Sequence, residues 1–146
     1  MDVILRAYAG SDLTAVVGIH EASQIELNAA VPAGYFDDLH NVETVFQGGA
    51  FLVADNDGEV VGYGGLMPSG EIVRMRVSVE FQGQGIGRRI LNGLIARAAE
   101  LGFPKVFLHT LEEQTIAQGL YEAAGFVEIF RGDVDGNRVV GYERPV

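Results

Sequence analysis

Gln82-Gly83-Gln84-Gly85-Ile86-Gly87-Arg88-Arg89 is the stretch whose reading decides the fold. Three glycines in its first six residues let the backbone turn tightly and bring successive N–H groups close to a ligand. Upstream, Glu71–Val79 alternates: Val73, Met75, Val77 and Val79 fall on one face, Arg74, Arg76 and Ser78 on the other, the period of a strand. Downstream, Ile86, Ile90, Leu91, Leu94, Ile95, Ala98 and Leu101 recur as one apolar helical stripe, stopped by Gly102 and Pro104. A helix that opens directly after such a loop presents free amides and a positive dipole end to phosphate oxygens. Arg88 and Arg89 stand in its first turn, where a cation is unfavourable unless an anion is expected there. The loop reads as a phosphate cradle between a strand and a helix.

Two familiar cradles do not fit. No Gly-Lys-Ser/Thr follows, so this is not a P-loop. The dinucleotide fingerprint G-x-G-x-x-G would need its third glycine at 88 or 90, which are Arg88 and Ile90.

Outward from the loop, Val3–Ala7 predicts a first strand. Gly10-Ser11-Asp12 caps a helix carrying Leu13, Val16, Val17 and Ile19. Pro32, Gly34 and Gly48-Gly49 break the following stretch, with a second helix expected around Tyr35–Phe46. Ala50–Ala54 and Val60–Met67 predict a hairpin about Asp55-Asn56-Asp57-Gly58. Gly62, Gly64 and Gly65 signal a bulge or a close backbone approach in its second strand. Val106–Leu108 predicts a strand and Glu112–Ala124 a helix, with Ile116, Leu120, Tyr121 and Ala124 inward. Phe126–Phe130 and Arg138–Glu143 predict two more strands, joined by a turn over Asp133–Asn137. The order β-α-α-β-β-β-α-β-α-β-β implies one α/β domain over 1–146, with a mixed sheet of six to seven strands and helices on both faces.

Composition narrows the chemistry. With 48% hydrophobic and 21% charged residues, the 146-residue chain can build a core and a soluble surface. It has no cysteine, which excludes disulfides, thiolate metal sites and cysteine nucleophiles. No apolar run approaches the ~20 residues of a membrane span, and Met1-Asp2-Val3-Ile4-Leu5-Arg6 lacks the form of a signal peptide. A cytoplasmic protein without a membrane partner is expected. The net charge of −10 argues against nucleic acid, which needs a basic footprint. Yet residues 74–105 hold six basic side chains against only Glu80 and Glu100, while the flanking segments are acidic. A basic island in an acidic chain fits a locally held anion, or a solvated arginine-rich helix face.

Gln82 to Gly87 resembles the Gln/Arg-x-x-Gly-x-Gly/Ala loop of the GCN5-related N-acetyltransferases (GNAT), which follows their fourth strand. Val77, two residues before Val79, is similar to the Val-x-Pro approach of that family, with valine in place of proline. Ala117-Gln118-Gly119-Leu120-Tyr121-Glu122-Ala123-Ala124-Gly125-Phe126 resembles the family's Ala-x-x-Leu-Tyr-Glu-x-x-Gly-Phe block. The resemblance covers roughly residues 50–130, and the N-terminal third only by arrangement.

This resemblance implies the GNAT fold and an N-acetyltransferase that uses acetyl-CoA as cosubstrate and no metal. The free amine of a small molecule would attack the thioester directly in a ternary complex. The amides from Gln82 through Gly83, Gln84, Gly85 and Ile86 to Gly87, with Arg88, would hold the CoA pyrophosphate. The backbone of Met75, Arg76 and Val77 would pair with the pantetheine arm, and a bulge there would aim an N–H at the thioester carbonyl. Tyr121 would be the general acid that protonates the departing thiolate, against the alternative of a core tyrosine packing its ring. Glu71, on the face of Val77, would be the general base for an amine that must lose a proton before attack, against a solvated carboxylate at a strand entrance. Glu21, Glu26, Asp37 and Asp38 would border the acceptor site and favour a cationic acceptor, unless they serve only solubility.

His20, His40 and His109 lack a second ligand at metal spacing. His109 faces the expected cleft, either as a proton relay or as a structural histidine. Two other functions stay open: a protein or peptide N-acetyltransferase, and a non-catalytic acyl-CoA-binding module. Homodimers are common in such folds.

Overall fold

The computed structural model describes residues 2–27 and 37–146. The elements follow the order expected from sequence. β1 (Val3–Ala7), β2 (Ala50–Asn56), β3 (Glu59–Leu66) and β4 (Ile72–Val77) form one antiparallel sheet in that spatial order. β5 (Lys105–Leu111), β6 (Val127–Val134) and β7 (Asn137–Pro145) form a second antiparallel sheet, in the order β5-β7-β6. Among the described residues the parallel component is one bridge between Glu71 and Phe107, where the Phe107 N–H donates to the Gly70 carbonyl at 3.1 Å. Beyond that bridge β4 and β5 part, and a fork opens between the two sheets.

Helices cover both faces. α3 (Ile86–Glu100) buries Ile86, Ile90, Leu91, Leu94 and Ala98 against Leu52, Ala54, Val61 and Leu66. Each of the isoleucines and leucines contributes roughly 1.5–3 kcal/mol through the apolar surface it removes from water. Between Val61 and Leu66, β3 presents glycines to this helix at positions 62 and 64. A Cβ on Gly64 would stand 2.8 Å from Ile90 Cγ2 and 3.1 Å from Leu94 Cδ1, so glycine is what lets α3 sit this close. On the opposite face, Val16 of α1 (Leu13–Leu27), Leu39, Val42 of α2 (Val42–Val45) and Phe46 pack on Phe51, Val53 and Tyr63.

Four expectations are corrected. The alternation of Glu71–Val79 is not continuous: Arg74 adopts φ +60°, and the β3–β4 register slips between Tyr63 and Gly65. This β-bulge inserts one residue, so side chains beyond it change faces. Val73 packs with the α1/α2 cluster while Met75 and Val77 pack with the α3 cluster, and Val79 is exposed in a 3-10 turn. The described part of the expected second helix is a 3-10 turn (Asp37–His40) and the short α2, separated by Asn41 at φ −133°. The expected breaks at Pro32 and Gly34 and the helix start at Tyr35 lie outside the described residues. The helix expected over Glu112–Ala124 begins at Thr115 instead, as α4 (Thr115–Ala123), which leaves Ile116 in its first turn and 91% exposed. Gln118 folds back there, donating to the carbonyls of Leu111 and Glu112. β6 runs on to Val134, because Asp135 and Gly136 both take positive φ and close a two-residue hairpin turn.

Candidate active site

The glycine loop stands at the mouth of the fork. A 3-10 turn (Val79–Phe81) follows β4, and Gly83 and Gly85 then adopt φ +77° and +82°. Neither would meet any atom within 4 Å if it carried a Cβ, so both face open space. The first backbone bond closing α3 runs from Arg89 N–H to the Gly85 carbonyl at 3.1 Å. Among the described residues, the N–H groups of Gly83 through Arg88 meet no acceptor, the orphan donors expected ahead of a helix. Gln82 is tied differently: its Nε2 donates to the Val77 carbonyl at 3.1 Å, bracing the loop against the end of β4.

The basic island resolves into two groups. Arg74 pairs with Asp38 at 2.8 Å, Lys105 with Glu143 at 3.0 Å, and Arg97 with Glu100. Arg76, Arg88 and Arg89 have no ion-pair partner among the described residues. These three gather around the loop and β4, so the uncompensated positive charge lies where phosphates would dock.

The backbone of β4 offers an edge there. It pairs with β3 on one side, and beyond Glu71 no strand among the described residues lies on the other. The bulge lies on this free edge at Arg74 and Met75, where two residues oppose Gly64.

Tyr121 enters from α4. That helix ends in a Schellman motif: Phe126 N–H bonds the Tyr121 carbonyl at 3.0 Å, and Gly125 N–H bonds the Glu122 carbonyl at 3.1 Å. Gly125 takes φ +92°, and the Phe126 ring packs edge-on against the Tyr121 ring with centroids 6.1 Å apart. The Leu-Tyr-Glu-x-x-Gly-Phe spacing is thus a helix stop that fixes the tyrosine from both ends. Tyr142 holds it from a third side at 6.0 Å. The Tyr121 hydroxyl has no protein partner among the described residues. Burial pushes its pKa up, and the nearby Arg76 charge partly offsets this.

A cleft of about 300 Å³ opens beside β4, lined by Asp38, Val45, Met67, Glu71, Val73 and Arg74. Glu71 sits at its floor beside the β4–β5 bridge, with its side chain 27% exposed. His109 Nδ1 lies 3.3 Å from Glu71 Oε2, and this contact, against some burial, raises the histidine pKa above its ordinary value. Asp38 Oδ2 accepts from Arg74 Nε, while its Oδ1 is buried with no hydrogen-bond partner among the described residues. The site therefore brings Glu71, Asp38 and Arg74 around one cavity, with His109 in contact with Glu71 from outside its lining. For His109 the sequence leaves a proton relay and a structural histidine open; its ring is 63% exposed. The signal was the alternation of β5, where buried Val106, Leu108 and Thr110 turn one way and Phe107, His109 and Leu111 the other. His20 is the buried histidine, its pKa lowered chiefly by burial. The side chains of Glu26 and Asp37 lie outside the described residues. No metal-binding cluster occurs among the described residues.

Residues 17–126 match the acetyltransferase (GNAT) family, and the chain belongs to that family. An uncharacterised N-acetyltransferase of Escherichia coli K12 is 27% identical over 138 residues, 86% of this chain and 83% of that protein. A GNAT-family acetyltransferase from Staphylococcus aureus Mu50 superposes with a TM-score of 0.87 at 24% identity, covering 99% of each chain. A phosphinothricin acetyltransferase from Sinorhizobium meliloti, solved in complex with acetyl-CoA, superposes with a TM-score of 0.83 at 22% identity, covering 100% of this chain and 89% of that one. These two structures share the fold.

Proposed function

We propose that residues 1–146 form one cytoplasmic domain that transfers acetyl from acetyl-CoA to the primary amine of a small molecule. The observation that carries this reading is the loop itself: unpartnered amides from Gly83 to Arg88, flanked by unpaired Arg88 and Arg89, at the end of a half-open strand. The residues fit a CoA pyrophosphate, since charge-assisted bonds to backbone amides and guanidinium groups are the strong way to hold one. The free edge of β4 from Met75 to Val77 would receive the pantetheine arm, and the bulge at Arg74 would turn an N–H toward the thioester oxygen.

The chain's own groups supply the proton traffic. The amine attacks the thioester carbon, the C–S bond breaks, and the thiolate takes the proton of the Tyr121 hydroxyl. That hydroxyl has no competing partner, and its raised pKa keeps it protonated at neutral pH. The proton of the amine leaves on the Glu71 side of the cleft. Asp38 and Glu71 favour a cationic acceptor. The buried Oδ1 of Asp38 supports this most, because an unsatisfied carboxylate oxygen is costly until a donor reaches it.

Calorimetric titration with acetyl-CoA tests the loop. Arg88→Glu with Arg89→Glu is expected to weaken binding at least tenfold, with the effect shrinking as salt rises. Equal binding by wild type and variant would remove the loop from the cosubstrate site.

A further inference from the structure

The contact between β4 and β5 identifies the atom that takes the amine proton. We propose that His109 accepts it through Nε2, and that Glu71 is a positioning residue that holds the ring from the Nδ1 side. This rests on the acetyl-transfer reading above and replaces Glu71 as the base within it.

Geometry makes the division. Glu71 Oε2 stands 3.3 Å from His109 Nδ1. An ionised carboxylate only accepts hydrogen bonds, so the ring proton belongs on Nδ1 and the lone pair on Nε2. Glu71 is the more enclosed partner, at 27% exposure against 63% for the ring, so the ring is the open end of the pair, able to exchange its proton with solvent. A base is also most useful when its pKa lies near the working pH, and an imidazole is far closer to that than a carboxylate.

Placement agrees. Glu71 and Phe107 are level across the parallel bridge, which puts His109 level with Val73, one residue before the bulge. His109 thus stands beside the bridge where β4 and β5 part, in contact with the cleft-lining Glu71. The other charges around it are engaged elsewhere. On β7 its register partner is Gly141, which brings no side chain, and Glu143 is held by Lys105. On β4, Arg74 is held by Asp38. Past the end of β5, Glu112 pairs with Arg138 at 3.1 Å. Glu71 is the charged group that shifts the ring.

In the reaction, an acceptor arriving as an ammonium gives one proton to Nε2, and the imidazolium passes it to solvent. The neutral amine attacks, and its remaining surplus proton leaves by the same nitrogen as the tetrahedral adduct collapses. Tyr121 protonates the thiolate and is reprotonated from solvent. The balance is one amide, one CoA thiol and one proton released.

The test combines kinetics with NMR of the histidine rings. His109→Gln is expected to lower kcat about 100-fold, the lower end for a general base, with KM for acetyl-CoA unchanged and the acidic limb of the pH profile gone. Glu71→Gln is expected to retain more activity, with that limb moved to lower pH. The His109 titration should move the same way, while that of the buried His20 stays put. The assignment is overturned if His109→Gln keeps wild-type kcat and pH profile, or if Glu71→Gln leaves the His109 titration in place. An inactive wild type across all amines would overturn the transfer reading as well, which separates the two failures.

Discussion

Replacing Gly85 with alanine separates the loop's conformational role from its ligand role. Gly85 sits at φ +82° immediately before α3, and its absent side chain faces open space. Alanine there has no clash to relieve, so its folding cost is the left-handed backbone alone, about 1–2 kcal/mol. Gly136 provides the control: it has φ +84°, it also faces open space, and it lies in the β6–β7 turn away from the loop. Gly136→Ala carries the same backbone penalty. In a chain of this length each lost kcal/mol lowers Tm by roughly 2–4 °C, so the two variants should melt alike, several degrees below wild type. They should differ in acetyl-CoA binding. Relaxing the strain at position 85 turns the neighbouring amides away from the pyrophosphate, and one charge-assisted hydrogen bond is worth about 1.5–3 kcal/mol. Calorimetry is expected to show at least a tenfold weaker Kd for Gly85→Ala and an unchanged Kd for Gly136→Ala. Equal affinity in both variants would refute the reasoning, because the loop's backbone would then be irrelevant to the ligand.

Other consequences can be checked separately. Tyr121→Phe should fold normally, since its hydroxyl bonds no described residue, and should lower kcat about 100-fold while leaving acetyl-CoA affinity intact; steady-state kinetics beside a binding titration decides. Gly64→Ala should destabilise by about 1–3 kcal/mol through overpacking against Ile90 and Leu94, read as a drop in Tm, and unaltered melting would contradict the close approach of α3. Asp38→Asn should raise KM for cationic acceptors while sparing acetyl-CoA, and a uniform change in both would point to misfolding instead. The Glu71–His109 pair also links stability to pH. Its histidine pKa is raised in the folded state, so the pair stabilises fully below the unfolded value of about 6.5 and loses this as pH rises through the folded one. The Tm gap between wild type and Glu71→Gln should therefore be widest on the acid side and close at alkaline pH.

Much of this architecture was legible because local signals agreed with tertiary needs. The α3 stripe, the Asp57-Gly58 turn and the Gly125 helix stop each state a local geometry that the fold keeps. Gly62 and Gly64 announced a close approach, and α3 makes it. What was not legible came from events that change register or join distant segments. One residue at positive φ, Arg74, reversed the faces of everything after it in β4, and nothing in an alternating Val-Arg-Met-Arg-Val run marks which arginine will bulge. Asp38 and Arg74 are 36 residues apart in sequence, and Glu71 and His109 meet only because two strands touch at one bridge. Val79 in place of the family's proline still enters a tight turn, held by Phe81 N–H bonding the Ser78 carbonyl at 2.9 Å.

Release of CoA from acetyl-CoA, followed with a thiol reagent across amino acids, polyamines, aminoglycosides and short peptides, tests the proposed activity most directly. Turnover is expected with one class of small cationic amines and is expected to fall in Tyr121→Phe and His109→Gln. Acetyl-CoA that binds while no amine turns over would contradict catalysis and leave a binding module, and acetyl-CoA that does not bind would contradict the site itself.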